Sequence, residues 1–107
     1  MKTPVLYLSS AITHNPNYKR EFEAARKDLI DAGYTAVSPL DICDDKWSWS
    51  TCMRRCIEVL VMQCDAVAII PPEYASVGME LEMQIAERLG MRVKTVATWV
   101  KEGKNER

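Results

Sequence analysis

The sequence predicts a doubly wound α/β sandwich: a three-layer, Rossmann-like or flavodoxin-like domain with a small, mostly parallel sheet of four to five strands. Three observations predict it. Short β-branched or aromatic runs alternate with stretches of helical periodicity, which implies parallel strands joined by right-handed crossovers. The run Asp65-Ala66-Val67-Ala68-Ile69-Ile70 is apolar almost throughout, as a central strand covered on both faces must be. With 107 residues and 48% hydrophobic content, the chain suits a single domain over residues 1–107 with one core.

The elements follow in order. Residues 5–9 form a short apolar and aromatic run, and Asn15-Pro16-Asn17 breaks it and caps what comes next. Tyr18, Phe22, Ala25 and Leu29 recur at helical spacing over residues 18–32, and Gly33 ends that helix. Residues 34–38 make a second strand, stopped by Pro39. The polar stretch 41–50, with Trp47 and Trp49 embedded in it, is expected to be a loop over an opening. Met53, Ile57, Leu60 and Cys64 place a second helix over residues 51–63. After the central strand, Pro71-Pro72 halts the chain and Ser76 or Gly78 opens a third helix. Residues 92–96 form a fourth strand, and the charged tail 101–107 is expected to fray.

Composition excludes several functions. A formal net charge of -1 leaves no electrostatic footprint for duplex nucleic acid, although a helix N-terminus can still hold a small anion such as a nucleotide phosphate. The N-terminus lacks the layout of a signal peptide, and no apolar stretch is long enough to span a bilayer. The expectation is a cytoplasmic protein with no membrane partner and with Cys43, Cys52, Cys56 and Cys64 reduced. These cysteines form no C-x-x-C pair and the lone His14 lies far from them in sequence, so no metal is expected. The chain also lacks G-x-G-x-x-G and G-K-S/T, and no cofactor is expected.

In an open α/β sheet, ligands bind beyond the carboxyl ends of the strands, where the strand order reverses. That gathers residues 9–17, 39–50 and 71–75, the start of the third helix and whatever follows residue 96. Ser76-Val77-Gly78 can cap the helix, hold a phosphate, or do both. Glu82 is the only charged residue on the apolar face of that helix: Met79, Glu82, Met83, Ala86, Leu89 and Gly90 share one arc at about 100° per residue. A buried carboxylate requires an internal partner or a chemical role.

Tyr7 to Ile12, a strand entered through Asp65, and Ser76-x-Gly78-x-x-x-Glu82 followed by Ala86 and Leu89-Gly90 together resemble the nucleoside 2-deoxyribosyltransferase superfamily. Within it they are most similar to the deoxynucleoside monophosphate N-hydrolases and to short phage and bacterial relatives of unassigned activity. The resemblance implies Glu82 as the nucleophile at C1′ of a deoxyribose and Tyr7 as the residue orienting nucleophile or sugar. It also implies substrate contacts from Ser9, Ser10, Ile12, Ser76 and Gly78, a nucleoside or nucleotide as substrate, and a homo-oligomer.

The chain departs from that pattern at two places. Ser10 stands where a glycine is usual, and Cys56 or Ile57 stands where the second helix would carry an aspartate. Glu58 is no substitute, because it lies about 140° from the apolar stripe of its helix. Asp41, Asp44 or Asp45 could enter from the loop, and Trp47 or Trp49 could stack on a base or instead pin the loop. Three functions follow: an N-glycosidic hydrolase or transferase, a nucleotide-binding protein with little or no turnover, and an interaction subunit with a vestigial pocket.

Overall fold

The computed structural model describes residues 3–12, 15–71 and 76–105. In chain order these form β1 (Val5–Ser9), α1 (Tyr18–Asp31), β2 (Thr35–Val37), α2 (Pro39–Ile42), α3 (Trp49–Gln63), β3 (Ala66–Ile69), α4 (Val77–Arg88), β4 (Arg92–Thr95) and α5 (Val96–Asn105). The strands make one parallel sheet in the order β2-β1-β3-β4. The predicted class and strand number therefore hold. His14, with its neighbour Thr13, and positions 72–75 of the loop before α4 lie outside the described residues, as do residues 106 and 107 at the end of the expected tail.

Strand alternation divides the core in two. Leu6, Leu8, Ala66 and Ala68 face Phe22 and Leu29 of α1 and Trp99 of α5. Tyr7, Val67 and Ile69 face the opposite way, toward Cys56 and Leu60 of α3 and Met79 and Ala86 of α4. β1 and β3 run side by side from Leu6 opposite Ala66 to Ser9 opposite Ile69. The chain goes outward from β1 to β2 and returns to the far side at β3, so the reversal lies between β1 and β3. A crevice therefore opens beyond Ser9 and Ile69.

Local chemistry sets the boundaries. Gly33, at φ 101, takes the left-handed conformation that ends α1. The Ser38 hydroxyl accepts the Leu40 N–H, and Pro39 supplies the fixed φ suited to the first residue of α2. The Ser48 hydroxyl accepts the Thr51 N–H at 3.1 Å and starts α3 at Trp49, two residues ahead of the predicted boundary. The stretch expected to be a loop over residues 41–50 is thus partly helical at both ends.

Two expectations are corrected. Cys43 and Cys52 are joined by a disulfide, with Cα atoms 5.4 Å apart, so the four cysteines are not all reduced. The C-terminal cap of α2 meets the first turn of α3, a proximity that a separation of nine residues did not reveal. The segment expected to fray is instead the second half of α5 up to Asn105, and Val96 belongs to that helix rather than to β4.

Val96, Trp99 and Val100 form an apolar face packed on the first core, while Lys101 is exposed and Glu102 pairs with Lys94 at 2.8 Å. Trp99 is 2% exposed and donates its indole N–H to the Val67 carbonyl at 2.9 Å. Its own carbonyl accepts the Tyr34 hydroxyl at 2.9 Å, and the two rings meet edge to face at 5.7 Å. Gly103 permits the close docking: a Cβ there would lie 2.7 Å from the Ala32 carbonyl oxygen. Among the described residues, no helix is long and apolar enough to cross a membrane.

If α5 is an integral part of the core, Trp99→Ala removes both a large buried ring and its hydrogen bond. Equilibrium denaturation is expected to register a loss of about 3–5 kcal/mol; a loss below about 1 kcal/mol would mark α5 as peripheral.

Candidate active site

The site begins with the pleat of β1. Tyr7 and Ser9 are two residues apart and so share a face, the one on which α4 packs. Glu82 is on the buried stripe of α4 with Met79 and Ala86. The Tyr7 hydroxyl donates to Glu82 Oε2, and the Ser9 hydroxyl donates to Oε1 at 2.9 Å. The anomaly of a carboxylate on an apolar face thus resolves into a carboxylate held at both oxygens by strand hydroxyls.

Glu82 is 5% exposed, and burial pushes its pKa up to about 7 despite the opposing effect of the hydrogen bonds from Tyr7 and Ser9. Burial, reinforced by the neighbouring Glu82 charge, raises the Tyr7 hydroxyl far above its ordinary value, so it remains a donor. Burial also raises the Cys56 thiol, partly offset by its hydrogen bond with Tyr7. No described buried side-chain nitrogen or oxygen lacks a partner.

Glu82 opens onto a cavity of about 610 Å³, a size typical of small-molecule sites. Tyr7, Ser10, Ile12, Ser76, Gly78 and Trp49 reach its wall with Glu82, so most of the expected site residues converge. Ser9 is fully buried, is not among the residues lining the cavity, and meets Glu82 from beneath by its hydrogen bond. Asp41 is elsewhere: it forms an ion pair with Arg26 of α1, and it is Asp44 and Asp45 that reach the cavity from this segment. Ser76 caps α4 by accepting the Met79 N–H at 3.4 Å. A Cβ on Gly78 would meet Met53 Sδ at 3.1 Å, so this glycine makes room for α3 as well as for the cavity.

Sequence reasoning missed part of the wall. Tyr18, Lys19 and Glu23 line it from α1, where only Tyr18 stood out in the sequence, as part of the apolar spacing of the helix. Lys19 is the one described basic residue there, against Glu23, Asp44, Asp45 and Glu82. Of the two candidates for the absent aspartate position, Cys56 lines the cavity and is buried beside Tyr7. Ser48 and Ser76 both line the cavity, so the N-termini of α3 and α4 border it with the positive ends of their dipoles.

The sequence profile of one family, described as a domain of unknown function (DUF4406), matches residues 4–95. The chain belongs to the DUF4406 family. The matched region runs through β4 and ends where α5 begins. No curated protein matches the sequence. Among solved structures, the chain is similar to the 2-deoxyribosyltransferase of the psychrotolerant bacterium Bacillus psychrosaccharolyticus, with a TM-score of 0.66 and 20% identity. The similarity covers 83% of this chain and 69% of that one. This DUF4406 member therefore has a deoxyribosyltransferase-like α/β fold.

Folded Glu82 keeps its proton up to about pH 7, whereas the ordinary carboxyl value is 4.5. Between these limits the native state binds more protons than the unfolded chain, so the contribution of Glu82 to stability is full below the lower value and is lost as pH rises to the upper one. The loss is on the order of 3 kcal/mol. Glu82→Gln, which carries no charge, is expected to flatten that slope in denaturation experiments between about pH 4.5 and 7 and to exceed the wild type in stability above it. An unchanged slope would mean that Glu82 is not the titrating group.

Proposed function

We propose that this protein cleaves or exchanges the N-glycosidic bond of a nucleoside or deoxynucleoside monophosphate, with Glu82 as the nucleophile. The observation that carries the reading is the buried carboxylate fixed at both oxygens and facing a cavity of nucleoside size. The likeness of fold to a 2-deoxyribosyltransferase supports it.

In this reading Glu82 attacks C1′ as the base departs, and water or a second base then releases the sugar from the carboxylate ester. Tyr7 and Ser9 hold the carboxylate in a single orientation, so little reorganisation accompanies attack. Trp47 or Trp49 offers a stacking surface for the base, Trp49 being 53% exposed at the rim. Lys19 and the N-termini of α3 and α4 would receive a phosphate or a sugar hydroxyl. Asp44 or Asp45 would protonate the departing base in place of a helix-borne aspartate. Self-association belongs to the same proposal: Trp49 and Val77 are exposed where α3 and α4 begin, beside the cavity, and an interface there would cover them.

A second reading, a nucleotide-binding protein with little turnover, is favoured by Cys56. A thiol whose pKa burial has raised is a poor replacement for a carboxylate acid.

Base release measured over a panel of nucleosides and monophosphates separates the two. Glycosidase chemistry is expected to depend on an ionisation near pH 7 as Glu82 becomes ionised, and to fall about a thousandfold or more in Glu82→Ala. Activity of Glu82→Ala at the wild-type level would remove the nucleophile from this account. Calorimetric binding without base release would establish the second reading.

A further inference from the structure

Cys43, Cys52 and Cys56 converge in the cavity wall next to Glu82, with all three Sγ atoms within 4.8 Å of one another. We propose that opening the Cys43–Cys52 bridge turns these residues into a three-thiolate site for a thiophilic divalent cation of the zinc class.

The geometry is close to that of such a site before any metal enters. Tetrahedral zinc with Zn–S bonds of about 2.3 Å places its sulfurs about 3.8 Å apart. Cys56 Sγ lies 3.4 Å from Cys43 Sγ and 4.0 Å from Cys52 Sγ, on either side of that separation. Only the bridged pair must part. Its Cα atoms, 5.4 Å apart, belong to two different elements and can be spread by rotating side chains.

The supporting frame is rigid on one side. Cys52 and Cys56 are one turn apart on the same face of α3, the spacing that aims two ligands at one point. Cys43 comes from the C-terminal cap of α2. All three side chains border the cavity, so a fourth coordination position would face it and be filled by water or by a ligand atom. Asp44 and Asp45 border the same space and favour a cation electrostatically. A ligand set made only of thiolates selects zinc or cadmium over magnesium and calcium. Cys64, at the far end of α3, takes no part.

The chemistry balances in two steps. A dithiol, or two equivalents of a monothiol, is oxidised to a disulfide as the Cys43–Cys52 bond accepts two electrons and two protons and becomes two thiols. The divalent cation then binds three sulfurs and releases three protons. The pocket thereby has two forms, one bridged and metal-free, the other reduced and metal-loaded. This inference is independent of the glycosidase reading, because its test measures binding alone.

The full chain is reduced with a phosphine under anaerobic conditions and titrated with Cd²⁺, followed by Zn²⁺ in competition. Thiolate-to-cadmium charge-transfer absorption and native mass are recorded. One equivalent is expected to bind to the reduced wild type and to Cys64→Ser, and none to the bridged protein. Affinity is expected to fall more than about tenfold in Cys56→Ser, since even residues behind the ligands are worth that much. Should Cys56→Ser fail to fold by circular dichroism, Cys52→Ser at a half-buried position gives the same reading. Absence of the charge-transfer band in folded, reduced protein, or undiminished affinity in the serine variants, overturns the proposal.

Discussion

The structure is organised around one buried carboxylate held by two hydroxyls of a neighbouring strand. Because β1 alternates, Leu6 and Leu8 build one core while Tyr7 and Ser9 point into the other, where Glu82 arrives on the inward stripe of α4. Shifting β1 by one residue would put a leucine in place of Tyr7 and turn the Tyr7 and Ser9 hydroxyls to the other face of the sheet, away from Glu82. Removing a partner from a buried charge costs far more than the hydrogen bond is worth in itself. The register of the central strands, the packing of α4 and the chemistry of the pocket are therefore constrained together.

That constraint explains why the cavity lies where it does. The hydroxyls occur at the carboxyl end of β1, beside the end of β3 and at the reversal of strand order. α3 and α4 enter with their capped N-termini at the same edge, so the positive ends of two helices, acidic side chains and tryptophans surround one opening. The cysteine cluster occupies the side of this opening where Cys56 touches Tyr7, which couples the sulfur chemistry physically to the carboxylate.

Much of this was legible in the sequence, and the reasons are physical. Periodicity identified β1, α1, the core of α3, β3 and α4, because each buries a face whose spacing differs from that of its neighbours. The same periodicity singled out Glu82, since a charge on an apolar stripe conflicts with burial unless it is partnered. α5 was hidden because its buried face consists of a few residues, Val96, Trp99 and Val100, amid charged neighbours that read as a tail. Asp41 was drawn into the expected site by proximity in sequence, but one turn of α2 and the Arg26 ion pair direct it elsewhere. The Cys43–Cys52–Cys56 cluster was illegible because its ligands come from two helices whose meeting depends on tertiary packing, not on C-x-x-C spacing.

The raised pKa of Glu82, a buried carboxyl bound by two hydroxyls, links the fold to the chemistry of the pocket. It is tested most directly by ¹³C NMR of the side-chain carboxyl, assigned by comparison with Glu82→Gln and followed with pH in wild type and Tyr7→Phe. A midpoint near 7 is expected in the wild type, where burial outweighs the hydrogen bonds, and a higher midpoint in Tyr7→Phe, where one of those bonds is gone. A wild-type midpoint near the ordinary 4.5, unmoved by loss of the tyrosine hydroxyl, would mean that neither burial nor Tyr7 governs this carboxyl.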